Sequence, residues 1–443
     1  MNAATPAPEA TWFGQPRGLT ILFLTEMWEK FSYFGMRALL VYYMTKSLLM
    51  GQAQASLIYG LYTAFVYFTP IIGGYVSDRW LGRRRAVILG GSIMAIGHFM
   101  MAFEPLFFVA LGFIAVGNGL FLPSLPSQIG ALYGPTDPRR HRAYNVYYVG
   151  VNLGAFLAPL VCGTLGETLG WHWGFGAAGL GMLAGLAIYI LGGRHLPPDP
   201  PRAQVRAEAV RVPGELRRVV PLLVGIGLCV VVFRGAYEQV GNTVALWADQ
   251  GVDRTVTGAV MVPMTWFQSL NPLLVFALTP LLLVWWARRS ARGREASPLI
   301  KMAIGALGVA SAFFMLAIVA AVSGSTPASW LWLVLFFILL TAGELYILPV
   351  GLGLFARLAP AGMAATTIAA WFLAAFAGNL LAGVLGTFWS GLSPALFFAM
   401  LGGVGVLAAG MLSLMDPAAR RAEADRTPSP PVPRGRGTGG PAV

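Results

Sequence analysis

The sequence predicts an all-α polytopic membrane protein, with twelve transmembrane helices arranged as two six-helix bundles. Three observations carry this. The 443 residues are 57% hydrophobic and only 11% charged, with a mean hydropathy of +0.69, more apolar than a soluble core requires. Apolar runs of roughly 18 residues or more recur along the whole chain, each long enough to cross a bilayer as helix. A single long polar interruption, 194–218, splits these runs six and six.

In order, the spans are expected at about 18–47, 54–78, 84–103, 106–133, 143–166, 171–193, 219–248, 257–287, 299–323, 328–357, 362–390 and 393–415. The first follows a tail, 1–17, with one arginine and no apolar run, so no cleavable signal peptide is expected and the first helix itself directs insertion. The second ends at RWLGRRR (79–85), which leads into the third. The fourth holds Pro123 and Pro126 and is followed by PRRHR (138–142). Between the fifth and sixth lies GETLGWHWG (166–174). The linker RHLPPDPPRAQVRAEAVRVPGELRR (194–218) then closes the first half. In the second half, the eighth span carries Pro272 and ends at ARRSARGRE (287–295), and SGSTPAS (323–329) follows the ninth. The tenth carries Pro349 and ends at ARLAPAG (356–362). Prolines in such helices are tolerated where they border a cavity or let a helix bend. The expected domains are thus bundles 18–193 and 219–416, joined by 194–218, with a Pro/Gly/Arg-rich, disordered tail at 417–443.

The formal charge of +12 does not point to nucleic acid. The bases cluster in every second connection, after the even-numbered spans, while the others are nearly bare. That alternation sets orientation, with the basic connections and both termini in the cytoplasm. Cys162 and Cys229 lie in apolar stretches and read as small buried hydrophobes, with no disulfide. GGYVSDRWLGRRR (73–85) resembles the G-x-x-x-D-R-x-G-R-R loop between helices 2 and 3 of the major facilitator superfamily, whose layout is also six plus six. There Asp78, at a helix end, can pair with loop bases such as Arg79 and Arg83 and lock that end of one half.

Charge inside the spans is the most informative feature. TEMWEKFSYFGMR (25–37) puts Glu26, Glu29, Lys30, Tyr33 and Arg37 on one face of the first helix. That face runs about 16 Å along the axis at 1.5 Å per residue. An ionisable residue near the bilayer centre costs roughly 2.5–3.5 kcal/mol, so a polar cavity is expected beside these groups. VFRGAYEQVGN (232–242) in the seventh span places Arg234 and Glu238 four apart, where they can pair locally. AGELYILPVG (342–351) puts Glu344 deep in the tenth span with no base nearby in sequence. Such a carboxyl either stays neutral or meets a cation, including a ligand's ammonium. Asn152, Asn271 and Asn379 add amides within apolar helices, where hydrogen bonds between helices are the plain role. The four histidines, 98, 141, 172 and 195, are scattered, and there is no G-x-S-x-G, so no metal site, cofactor or enzyme chemistry is expected.

These segments resemble the proton-coupled oligopeptide transporters, the peptide branch of the superfamily, over nearly the whole membrane part. Glu26–Lys30 with FSYFGMR is similar to E-x-x-E-R-F-x-Y-Y-G-x-R on helix 1. YNVYYVGVNLGAF (144–156) is similar to F-x-x-F-Y-x-x-I-N-x-G on helix 5, and FRGAYEQVGN to F-W-x-x-F-E-Q-x-G on helix 7. FQSLNP, GELYILPVGLGLFARLAP and WFLAAFAGNLLAG resemble the family's helices 8, 10 and 11. The resemblance implies a proton-coupled importer of di- and tripeptides or peptide-like compounds, with the proton as coupling ion and no other cofactor. It implies a multi-pass monomer in the plasma (inner) membrane. The implied binding residues are Tyr33, Arg37, Tyr67, Asn152, Asn271, Glu344 and Trp371. Glu344 would face the peptide's amino terminus, Asn152 and Asn271 its backbone, and Arg37 and Tyr33 its carboxylate; Trp371 would line a side-chain pocket. Glu26, Glu29, Lys30, Arg234 and Glu238 would serve coupling and gating, with Glu238 paired to Arg37.

Several positions depart from the family's pattern. Lys30 stands where the family has Arg, in a chain whose 30 basic residues include only Lys30, Lys46 and Lys301 as lysines. A buried lysine shifts its proton affinity far more readily than an arginine. Leu122 in GNGLFLPSLPS (117–127) replaces the helix 4 lysine, Arg234 replaces the helix 7 Trp, and Phe34 replaces the second Tyr of helix 1. The linker is also too short for the two extra helices of typical bacterial members. These changes leave open a relative that moves another zwitterion or an organic anion, with altered or lost coupling. An efflux pump of the same fold, or a non-transporting sensor, accounts less well for charges on both halves.

Overall fold

Lipid offers no partner to a backbone N–H or C=O, so each crossing segment must satisfy its own groups as helix. The computed structural model describes residues 11–12, 14–133, 137–199, 215–257, 260–359 and 364–424. The first half contains α1 (Arg17–Tyr42), α2 (Gln52–Val76), α3 (Arg83–Met100), α4 (Phe107–Ser124), α5 (Arg139–Ala158), α6 (Thr164–Thr168) and α7 (Trp171–Leu191). The second contains α8 (Glu215–Tyr237), α9 (Thr243–Gln250), α10 (Leu270–Ala291), α11 (Pro298–Ser323), α12 (Leu331–Leu358), α13 (Ala364–Gly386) and α14 (Pro394–Ala424). A π-helical turn, Pro159–Gly163, joins α5 to α6, and a 3₁₀ turn, Glu238–Gly241, joins α8 to α9. Each of these pairs is one crossing, so the described helices make twelve. Ten crossings are apolar enough on hydropathy alone. The other two are α1, with Glu26, Glu29, Lys30 and Arg37, and α3, which opens on Arg83, Arg84 and Arg85.

In the first bundle α1 packs on α5 and α7, and α4 lies between α2 and α3. In the second, α11 packs on α12 and α14, and α8 on α13 and α14. One apolar core fills the second bundle and two fill the first, one of which takes in Ala245, Leu246 and Met264 from the second half. The bundles meet along α2 with α13 and α5 with α10. At the first seam a Cβ on Gly60 would lie 2.3 Å from Gly383 Cα, so only glycine permits that backbone approach.

Several expected boundaries move. Residues 257 and 260–263 are not helical: a short antiparallel pair, Thr255–Thr257 with Val260–Met261, precedes a 3₁₀ turn, Met264–Ser269, that leads into α10. β-branched Val256 and Thr257 favour extended backbone, and Pro263, at ψ 137°, blocks a helix from continuing back through it. Pro349 does not break its helix, since α12 runs continuously past it, and Pro272 sits in the first turn of α10, where a missing N–H costs nothing. The last helix outruns its expected end at 415 and continues through Pro417 to Ala424, so this part of the tail is ordered. Asp416 holds it there, accepting from Arg420 Nε at 2.7 Å one turn on and from Ser297 Oγ. The rest of the expected disordered tail, 425–443, most of the linker, 200–214, and 1–10 of the N-terminal tail lie outside the described residues.

At the end carrying the base-poor connections, the bundles are tied together. Glu167 on α6 accepts from Met264 N (3.0 Å), Thr265 N (2.9 Å) and Thr265 Oγ1 (2.6 Å) of the second bundle. Lys46 meets Asp249 at 2.6 Å, and Tyr42 donates to Ala245 O at 2.8 Å. Ser56 donates to Asn242 Oδ1 at 2.9 Å, and Gln52 to Gly386 O at 3.0 Å.

Candidate functional site

Between the bundles lies a cavity of about 190 Å³, walled by α1, α2 and α5 on one side and α8, α10 and α12 on the other. Its ionisable lining residues are Arg37, Arg234, Glu238 and Glu344. Arg37, about one and a half turns before the end of α1, reaches across to Glu238 Oε2 at 2.6 Å and donates its Nε to Tyr59 Oη at 2.7 Å. Glu238 begins the 3₁₀ turn where α8 ends. One turn earlier, Arg234 meets the other oxygen of Glu238 at 3.0 Å. Its guanidinium lies 4.6 Å from the centroid of the Tyr67 ring, a cation–π contact that fixes it against α2. The turn itself depends on Gly241, where a Cβ would stand 2.1 Å from Tyr59 Oη.

The other wall is neutral apart from one carboxylate. Asn271, in the first turn of α10, donates to Glu344 Oε2 at 2.6 Å and to Thr341 Oγ1 at 3.0 Å. Thr341 and Glu344 are one turn apart on α12, so a single amide ties α10 to both. The Tyr237 hydroxyl also approaches Glu344. Asn152 faces the cavity from α5 and donates to Tyr148 O, 3.0 Å, one turn back, so its amide oxygen keeps its acceptor capacity. Sequence reasoning missed Tyr59, Tyr148, Tyr237, Gln268 and Glu167. None carries a signal that separates it from an ordinary helix tyrosine, amide or loop acid.

Other expected site residues lie elsewhere. Glu26, Glu29 and Lys30 do not line this cavity, which corrects the expectation that the whole charged face of α1 looks onto it. They pack inside the first bundle, with Lys30 Nζ 2.6 Å from Glu29 and 3.3 Å from Glu26. One cation serves two carboxylates, and among the described residues Glu29 Oε1, Thr25 Oγ1, Ser32 Oγ and Tyr62 Oη have no hydrogen-bond partner, while the Tyr147 hydroxyl approaches Glu26. Tyr33 is buried edge-on to Phe34, at 5.1 Å between centroids, and it is Phe34 that reaches the cavity. Trp371 is not among the residues that line this cavity: it packs into the second bundle's core against Phe355, 5.1 Å away, and Gly351. Asp78 is exposed and makes no ion pair among the described residues. The π-helical turn Ser77–Leu81 rotates it outward while Ser77 turns in to accept from Ser124 Oγ at 2.9 Å. The loop is tied instead by Arg83 to Ser127 O (3.1 Å) and Arg84 to Gly193 O (2.8 Å), with Arg79 on the Tyr75 hydroxyl (2.9 Å). Leu122 is half-buried on α4 and outside the cavity wall. Among the described residues no group of three His, Cys, Asp or Glu is placed to hold a metal ion.

Two six-helix bundles, closed at one end around a charged central chamber, define a solute transporter of major facilitator architecture. The comparisons are specific about which. The sequence profile of the POT family matches residues 84–213 and 210–395, and the chain belongs to that family. It is 31% identical to an uncharacterized transporter, YclF, of Bacillus subtilis, over 94% of this chain and 96% of that one. It is likewise 31% identical to a di-/tripeptide transporter of Lactococcus lactis, over 90% and 95%. Among solved structures, a peptide transporter POT variant in complex with alafosfalin superposes with a TM-score of 0.86 at 31% identity, covering 94% of this chain and 97% of the other. A POT family transporter in complex with 5-aminolevulinic acid follows at a TM-score of 0.84 and 25% identity, covering 93% and 98%.

Proposed function

We propose that the protein imports di- and tripeptides, or compounds shaped and charged like them, driven by protons and by alternating exposure of the cavity. The observation that carries this reading is the cavity's polarity: guanidiniums gathered around Glu238 on one side and Glu344, without a cation, on the other. A zwitterion held between them meets opposite charge at both ends. In this reading Glu344 takes the ammonium, Asn152 and Asn271 the backbone, and the arginine side the carboxylate. Protonation of Glu238 releases Arg37 and unties the bundles at mid-height, which favours the state open at the base-poor end. Glu26, Glu29 and Lys30, with one cation for two carboxylates, form the proton-responsive group of the first bundle. Bundles 18–193 and 219–416 rock about the cavity as units. The protein lies as a monomer in the plasma (inner) membrane with both termini cytoplasmic, so the latched base-poor end faces outward.

The test is uptake of labelled Ala-Ala and Ala-Ala-Ala into proteoliposomes, with and without an inward proton gradient. Accumulation above the outside concentration only with the gradient is expected. Equal uptake in both conditions removes the coupling. A second reading, another zwitterion or organic anion, draws on Lys30, Leu122 and the relative that holds 5-aminolevulinic acid. Absence of peptide uptake together with binding of such a solute decides for it.

A further inference from the structure

The four ionisable groups on the cavity wall are unevenly paired. Glu238 offers one negative charge and receives two guanidiniums, Arg37 at 2.6 Å and Arg234 at 3.0 Å. Glu344 has the Asn271 amide and the Tyr237 hydroxyl beside it, both neutral. One wall therefore carries a surplus of one positive charge when Glu238 is ionised, and the other a surplus of one negative charge when Glu344 is.

The remaining donors decide which arginine holds that surplus. Arg37 already commits Nε to Tyr59 at 2.7 Å and a terminal nitrogen to Glu238, and its guanidinium sits 5.6 Å from the Tyr59 ring and 5.9 Å from Phe34. Arg234 is only 4% exposed, lines the cavity, and is held by Glu238 and by the Tyr67 side chain; its Nε, turned away from the cavity, has no acceptor among the described residues. Its bond to Glu238 is the longer of the two on that carboxylate, 3.0 Å against 2.6 Å, so Arg234 is the guanidinium that an acceptor brought into the cavity draws away at least cost. Arg37 and Glu238 neutralise each other across the bundles, whereas Arg234 shares a carboxylate already taken.

We propose that Arg234 is the residue that receives the negatively charged end of the substrate. Both charged ends of the solute are then held by the second bundle, the carboxylate by Arg234 on α8 and the ammonium by Glu344 on α12. The first bundle contributes Tyr67, stacked on Arg234, and Arg37, whose charge keeps Glu238 paired when Arg234 turns to the ligand. This rests on the reading of the cavity as a peptide site and departs from the family resemblance, which implies Arg37 and Tyr33 for the carboxylate.

The experiment measures binding of Ala-Ala and of its C-terminal amide to the purified full-length protein in nanodiscs, for wild type, Arg234→Gln and Arg234→Lys. Wild type is expected to prefer the free acid by roughly 10- to 100-fold, as a charge-assisted hydrogen bond supplies. In Arg234→Gln that preference falls to about threefold or less, through weaker binding of the acid alone. Arg234→Lys, which keeps the charge and loses the fork, falls between. If Arg234→Gln does not fold, Arg234→Met removes the charge while keeping bulk, and the same ratio is read. An unchanged acid-to-amide ratio, or equal weakening of both ligands, overturns the proposal while leaving the peptide reading in place. Failure of wild type to bind either ligand overturns both. A merely structural arginine would weaken acid and amide alike.

Discussion

Glu167 is where the latch at the base-poor end can be cut with least damage elsewhere. It is the one acid among the described residues that accepts three hydrogen bonds across the bundle boundary, two from backbone N–H groups and one from Thr265 Oγ1. Arg254 stands further off at 3.9 Å. A hydrogen bond to a charged acceptor is worth about 1.5–3 kcal/mol, but the three share one carboxylate and are not additive. The side chain is 12% exposed, so water recovers part of what is lost. We predict that Glu167→Ala destabilises the closed arrangement by about 2–4 kcal/mol, a shift of about 30- to 1000-fold in the closed-to-open ratio. A protein resting at 99:1 closed would fall to about 3:1 at the lower figure. The readout is the distance between spin labels at Phe103→Cys and Val322→Cys, both exposed and on opposite bundles at that end. The natural cysteines are buried and free, so labelling is selective. A distance distribution in Glu167→Ala that matches the labelled parent would refute the claim that this carboxylate holds the bundles together.

Further expectations come from single contacts. Glu344→Gln keeps the Asn271 geometry and removes the charge, so uptake of Ala-Ala should fall at least 10-fold while binding of its N-acetylated form is unchanged; equal loss of both would exclude an ammonium role. Lys30→Ala leaves Glu26 and Glu29 buried without their cation, and accumulation against a gradient should fail while peptide exchange persists; preserved accumulation contradicts a coupling role. Gly241→Ala drives a methyl against Tyr59 Oη, and a loss of about 1–3 kcal/mol in stability is expected by thermal unfolding. Asp416→Ala removes the anchor of the last turns of α14, so amide exchange at 418–424 should quicken with transport intact.

Spans were legible because their signal is summed over some twenty residues and lipid admits almost no alternative to helix. Arg37, Arg234, Glu238 and Glu344 were legible for a related reason, since an ionisable residue in an apolar run must find a polar neighbour. What the run does not tell is which neighbour. Glu26 and Lys30 share a helical face with Arg37, yet they turn into their own bundle because that face is shared among α5, α7 and the opposite half. Trp371 and Phe355 look alike in sequence whether they wall a pocket or fill a core. Asp78 was misplaced for want of the π-helical turn, whose extra residue rotates everything after it and leaves no compositional trace. The helix past Pro417 was not legible, since an interior proline ordinarily ends or kinks a helix.

The ion pairs that cross between the bundles differ in what can compete for them. Lys46–Asp249 and the longer Arg254–Glu167 contact sit at the base-poor end; Lys46 is 41% exposed, so its pair contributes at most about 1 kcal/mol and responds to salt, and Arg254–Glu167, at 3.9 Å, is too long for a hydrogen bond. Arg37–Glu238 is buried in the cavity wall, where breaking it without compensation leaves two charges stranded, at a cost of several kcal/mol. Only there can a solute or a proton supply the compensation. The outer contacts and Glu167 therefore set how strongly the closed state is preferred at rest. The Arg37–Glu238–Arg234 group sets how far that preference depends on what the cavity holds. A mutation in the first set should shift the resting equilibrium equally with and without ligand; one in the second should change the difference between the two. Spin-label distances in Glu167→Ala and Arg234→Gln, each measured with and without Ala-Ala, separate these effects. Identical ligand responses in both variants would mean the two layers are not distinct.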